Sequence, residues 1–115
     1  WLSRSWQCFV FCCLAVNVIS DAGDVPITGG LAAFGSRAES GSTVTRGFCP
    51  TCGTPVTSAS SARPHFLILR AGTLDHTGIA TPAMNIWTDS APHWAHLDPD
   101  VPSTPAQPAA LPASR

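Results

Sequence analysis

No stretch of this chain repeats its apolar residues at a helical period over the length of a helix. Short β-branched runs are instead cut every few residues by Gly, Pro, Asp or Ser, and that punctuation predicts an all-β domain. Strands are expected over residues 14–19 (LAVNVI), 42–48 (STVTRGF), 55–61 (PVTSASS), 65–74 (HFLILRAGTL) and 84–87 (MNIW). A further strand over 27–36 (ITGGLAAFGS) is expected to break at Gly29-Gly30, where a hairpin-type turn would use positive φ. The 65–74 run is apolar enough to be buried on both faces. From residue 102 the chain reads PSTPAQPAALPASR, a low-complexity tail expected to be disordered.

With 115 residues there is room for one domain and a modest core, and the 44% apolar share excludes wholesale disorder. The cations are six Arg and no Lys, spaced singly, and the net charge is −1. Nucleic-acid binding needs clustered positive charge and is discounted. Residues 8–20 (CFVFCCLAVNVIS) form an apolar run too short to span a bilayer, so no membrane association is expected. That run admits a buried strand, or a secretory leader cleaved near Asp21-Ala22-Gly23. The chain begins at Trp1 without an initiator Met, which suggests a fragment or processed product. Five cysteines, an odd number, argue against a closed disulfide framework and favour a reducing, cytoplasmic setting.

The most chemically loaded segment is RGFCPTCGTPV, residues 46–56, with Cys49 and Cys52 across a Pro-Thr pair. A redox pair of this spacing needs its first thiol at a helix N-terminus, and the Gly53-Thr54-Pro55 that follows does not start a long helix. A disulfide across two intervening residues would be strained. A zinc knuckle fits better: strand, Cys-Pro-x-Cys-Gly, strand places two thiolates on one side of a hairpin turn, with Pro50 fixing φ and Gly53 closing the turn. Cys49 and Cys52 are therefore the candidate metal ligands, and zinc the candidate cofactor. A closed site wants four ligands, and one knuckle provides two. Cys8, Cys12 and Cys13 read better as small core residues, and His93 and His96 as solvated surface groups; His65 and His76 complete the histidines available. Asp98 and Asp100 flank Pro99 in what reads as a solvated turn, no catalytic Ser/His/Asp set is recognisable, and no Gly-rich phosphate loop occurs.

With these stretches in hand, residues 15–102 resemble the glutathione-dependent formaldehyde-activating enzyme / centromere protein V family. The resemblance is carried by AVNVI, ITGGLAAF, STVTRGFCPTCGTPV, LILRAGTLD and PAMNIWTDSAPHWAHLDPDVP, in that order. It implies an Mss4-like fold of packed antiparallel β-sheets with a zinc-knuckle hairpin, occupying residues 14–101 between an atypical segment 1–13 and the tail 102–115. It also implies a carbon–sulfur lyase reaction that joins formaldehyde to the thiol of glutathione, or the reverse, with glutathione as the small thiol partner. Family zinc is held by an early Cys-x-Cys with the late Cys-x-x-Cys, and by a middle Cys-x-Cys-x-x-Cys whose open site would carry the chemistry.

Only Cys49 and Cys52 match that pattern residue for residue. Counting back from Leu14, which stands for a family aromatic, puts Trp1, Ser3 and Trp6 where the middle triplet belongs, and none of them holds zinc. The first thirteen residues thus look foreign, truncated or frame-altered, and Asn85 replaces a frequent His. No catalytic residue is assigned. The expectation is a lyase-family domain impaired in turnover, and the alternative is a zinc-stapled binding or structural module.

Overall fold

The structure is a computed structural model, and it describes residues 15–109. They divide into two compact units: Asn17–Thr77, and a second containing the described residues before Asn17 and from Gly78 on. The first unit is a five-stranded antiparallel sheet built from β1 (Asn17–Asp21), β2 (Ala32–Arg37), β3 (Thr43–Phe48), β4 (Pro55–Ser60) and β5 (Phe66–Arg70). Its spatial order is β1-β5-β4-β3-β2, so β2 to β5 run as a meander and β1 pairs beside the last strand. Helical structure among the described residues is limited to three-residue 3-10 turns, and none is long and apolar enough to cross a membrane. The all-β expectation holds, and the fold is consistent with the Mss4-like class.

Two strands of this sheet begin several residues later than the sequence reading expects. The strand expected over 27–36 begins only at Ala32; Gly29 does take a positive φ of 91°, yet no hairpin forms there. Pairing decides the matter, because residues 32–37 have β3 beside them while Ile27 lies 52% exposed with no partner strand. The strand expected over 14–19 lies at Asn17–Asp21, where Asn17 to Asp21 pair with Arg70 to Phe66 and Ala22 N–H donates to the His65 carbonyl at 2.9 Å. The later half of the apolar run is therefore strand, while Cys8, Cys12, Cys13 and the segment 1–13 lie outside the described residues.

Register fixes what each face of the sheet presents. One row of direct neighbours runs Ile19, Ile68, Ser58, Arg46 and Phe34 across all five strands. The adjacent row, on the opposite face by the period-two pleat, runs Val18, Leu69, Thr57, Gly47 and Ala33. Gly47 and Thr57 are buried in this second row, and Ala71 just beyond β5 is buried as well. The core is centred on a glycine because the Leu31 and Thr57 side chains occupy the space where a Gly47 Cβ would stand. At Gly47/Phe48 the β3–β4 register shifts, so the chain enters the cysteine turn off a bulge.

In the second unit, composition undersells the Pro-rich stretch. Residues 102–106 do pack: Asn85 N–H donates to Pro102 O at 2.7 Å, Thr104 N–H donates to Asn85 O at 2.9 Å, and Asn85 and Ser103 form a parallel bridge. Thr88 N–H and Oγ1 both donate to Thr104 O, and Asp89 N–H donates to Pro105 O. Proline lacks an N–H, but its carbonyl remains a full acceptor, and this strap bonds mostly through carbonyls. Of the strand expected over 84–87, only Asn85 is bridged. Trp87 then turns in the left-handed region at φ 59°, ψ 35°, a strained conformation for an aromatic residue. A chain ending at Val101 is expected to exchange the amides of Asn85 and Thr88 about tenfold faster or more, read by hydrogen-exchange NMR; unchanged protection would deny the strap its role.

Candidate metal centre

The turn between β3 and β4 is closed by two backbone bonds. Cys49 N–H donates to Thr54 O at 3.0 Å, and Gly53 N–H donates to Cys49 O at 2.8 Å. The second bond requires Gly53 to take φ 74°, where glycine has no Cβ to clash, so the Gly following Cys52 is the residue that lets the turn close. Both thiols are free; Cys49 is half-buried and Cys52 exposed. The Cys52 sulfur is 3.0 Å from Thr54 Oγ1.

Electrostatics at this turn favour thiolate. The backbone N–H of Cys52, then that of Thr51, then the Cys52 thiol donate toward the Cys49 sulfur and hold its pKa below the ordinary thiol value, outweighing a small opposing effect of burial. Since the folded value is the depressed one, the associated stabilisation is present above the unfolded pKa and is lost as pH falls through the folded pKa. Alkylation of Cys49 by iodoacetamide in the metal-free chain is accordingly expected to reach half its maximal rate at lower pH when folded than in urea. Peptide mapping by mass spectrometry checks this, and coincident midpoints would remove the effect of the turn.

The donor set suits a soft or borderline cation: two thiols on one N–H-supported turn, with no metal-holding cluster of carboxylates and other donors among the described residues. It amounts to half of a four-coordinate set, because no cluster of three or more His, Cys, Asp and Glu side chains occurs among the described residues. His65 is exposed and tilts against Phe66, with ring centroids 4.2 Å apart, and His76, His93 and His96 are exposed. Asp98 Oδ1 accepts the Asp100 N–H at 2.9 Å, the local turn expected of that pair. Asn85 spends its amide on Ser103 Oγ and the Val101 carbonyl. What the sequence reading missed is the close approach of Gly47 and Thr57, for which a lone glycine inside a strand pattern was the available signal.

Comparison with known proteins agrees with the motif. Curated proteins and solved structures give no match. Residues 10–90, more than half of the chain, match the family described as "Glutathione-dependent formaldehyde-activating enzyme". The matched span holds all five strands and the complete Cys49–Cys52 turn, and the chain belongs to the glutathione-dependent formaldehyde-activating enzyme family.

Proposed function

We propose that this chain is a zinc-stapled, thiol-receiving domain of the carbon–sulfur lyase type, with Cys49 and Cys52 as zinc ligands and glutathione as the thiol partner. The observation that carries the reading is the turn itself: two free thiols on a turn closed by backbone bonds, with backbone N–H groups lowering the pKa of one of them, inside the family match. Bound there, zinc would neutralise the paired thiolate charge and cross-link β3 to β4. The residues of this chain supply the rest. Gly53 shapes the turn, the Cys52 and Thr51 amides favour ionisation of the Cys49 sulfur, and Thr54 stands beside the Cys52 sulfur.

Family chemistry adds a thiol S–H across the formaldehyde carbonyl: the S–C bond forms, the C=O π bond becomes C–O–H, and the reverse step returns both reactants. Within these 115 residues no Cys-x-Cys-x-x-Cys occurs, which supports impaired turnover of that step by this chain. The same feature favours the second reading, a zinc-stapled binding or structural module. Elemental analysis of the purified chain is expected to give at most one zinc per chain, and NMR is expected to show formaldehyde and glutathione combining at the uncatalysed rate. Two zinc per chain with accelerated adduct formation would overturn impairment.

A further inference from the structure

Strand β2 forms one edge of the sheet, and among the described residues only β3 pairs with it. The backbone pattern shows which of its groups are left over. Ala38 N–H donates to Ser42 O at 2.8 Å, one step beyond the Arg37–Thr43 pair. The bonded pairs of this ladder therefore continue at Ser36–Val44, Phe34–Arg46 and Ala32–Phe48. Thr43 agrees, because its carbonyl turns the other way and accepts the Ser61 N–H at 2.9 Å. The N–H and C=O groups of Ala33, Gly35 and Arg37 thus point outward from the edge, where a further strand would bond them. The edge is not blunted: Ala32–Arg37 holds no proline, no acid and, until its last residue, no charge. Ala33, Phe34 and Gly35 at its centre are exposed, Phe34 to 63%. The other edge strand, β1, has a half-buried middle and ends on Asp21.

Symmetry then selects the occupant. When two copies join edge to edge about a twofold axis, residues that face each other lie on the same face of the sheet. Odd positions must therefore meet odd and even meet even, which centres the axis on a residue and not between two. Centred on Phe34, the contact sets Ala33 against Gly35 of the second copy, and Gly35 against its Ala33. Both are outward-facing positions, so each such pair exchanges its N–H and C=O groups. Phe34 falls at the non-bonded position between them, where Cα atoms approach to about 4.5 Å and the two exposed rings cover each other. Ser36 then faces Ala32 and Arg37 faces Leu31, so no charge meets its like. A contact centred on Gly35 would set Phe34 against Ser36 and forfeit the aromatic pair. We infer that β2 is a self-pairing edge through which two copies of this chain join their sheets into one. The contact is a single strand wide, below the roughly 1,200 Å² of a standard stable interface, so the dimer is reversible and forms with rising concentration. It makes no use of the cysteine turn.

Sedimentation equilibrium of the full chain tests this, with a reductant and a zinc chelator present so that neither a disulfide nor a shared metal joins copies. The wild type is expected to pass from monomer to dimer as concentration rises. Gly35→Pro removes an outward N–H and leaves the β3 ladder intact; it is expected to weaken the dimer about tenfold or more, because the twofold axis deletes the bond twice. Gly35→Ala is the control. A Cβ there meets only Thr43 Cγ2, at 3.9 Å, and the N–H is retained. Its dimer is expected to stay within about threefold of the wild type. Phe34→Glu and Phe34→Arg each set like charges face to face and are expected to remain monomeric alone, while their equimolar mixture associates about tenfold more tightly than either. A wild type that stays monomeric at every concentration, a Gly35→Pro chain that dimerises as the wild type does, a mixture no heavier than its components, or growth beyond two copies would each overturn the inference. Should the Phe34 variants lose their strand signal in circular dichroism, the comparison of Gly35→Pro with Gly35→Ala decides alone.

Discussion

Gly47→Ala is expected to destabilise the sheet by about 2 kcal/mol, the middle of the range for forcing a methyl group into a packed site. The new Cβ would collide with Thr57 Oγ1 and stand 3.3 Å from Leu31 Cδ1. Thr57 is only 8% exposed and pairs directly with Gly47, so its side chain has little room to retreat and the strands must separate instead. Combining Gly47→Ala with Thr57→Ala removes the colliding oxygen and is expected to recover at least half of the loss, a coupling that a urea-denaturation cycle measures directly. The effect should also reach the thiols, because the register shift that feeds the cysteine turn begins at this glycine. Cys49 would then lose part of its amide support and alkylate at a higher pH midpoint. A neutral Gly47→Ala would mean that the close approach is not a constraint.

That glycine shows where the sequence stops being informative. Strands β3, β4 and β5 were legible, since each is a β-branched or apolar run between turn residues; β3 and β4 lie within one residue of their expected bounds and β5 within four. The knuckle was legible because Cys-Pro-x-Cys-Gly encodes its own backbone: Gly53 must adopt the positive φ that closes the turn. Long-range partnership was not. Residues 27–31 carry the glycine pair read as a turn within one hairpin, but which side of that pair would be strand depends on having a partner, and β3 lies only beside residues 32–37. The strap over 102–106 was missed for the complementary reason. Proline content reports the loss of donors, whereas the stretch is held through its carbonyls, which composition does not register.

Cys49→Ser and Cys52→Ser are each expected to abolish stoichiometric zinc binding and to cost about 4 kcal/mol of stability when free zinc stands near a thousand times its dissociation constant, the linkage expected of a ligand that binds only the folded chain. Serine keeps the shape of cysteine but replaces a soft thiolate with a neutral hydroxyl, so the change reads metal affinity and not volume. Direct packing contributes little, because Cys52 is exposed and Cys49 only half-buried. Chelation supplies the decisive comparison. A zinc chelator is expected to bring the wild-type unfolding midpoint down to that of the variants and to leave the variants where they are. If the midpoint of the wild type ignores the chelator while Cys49→Ser still destabilises, the loss belongs to the turn's own hydrogen bonds, from the Cys52 and Thr51 amides to the sulfur, and the metal role of the hairpin falls.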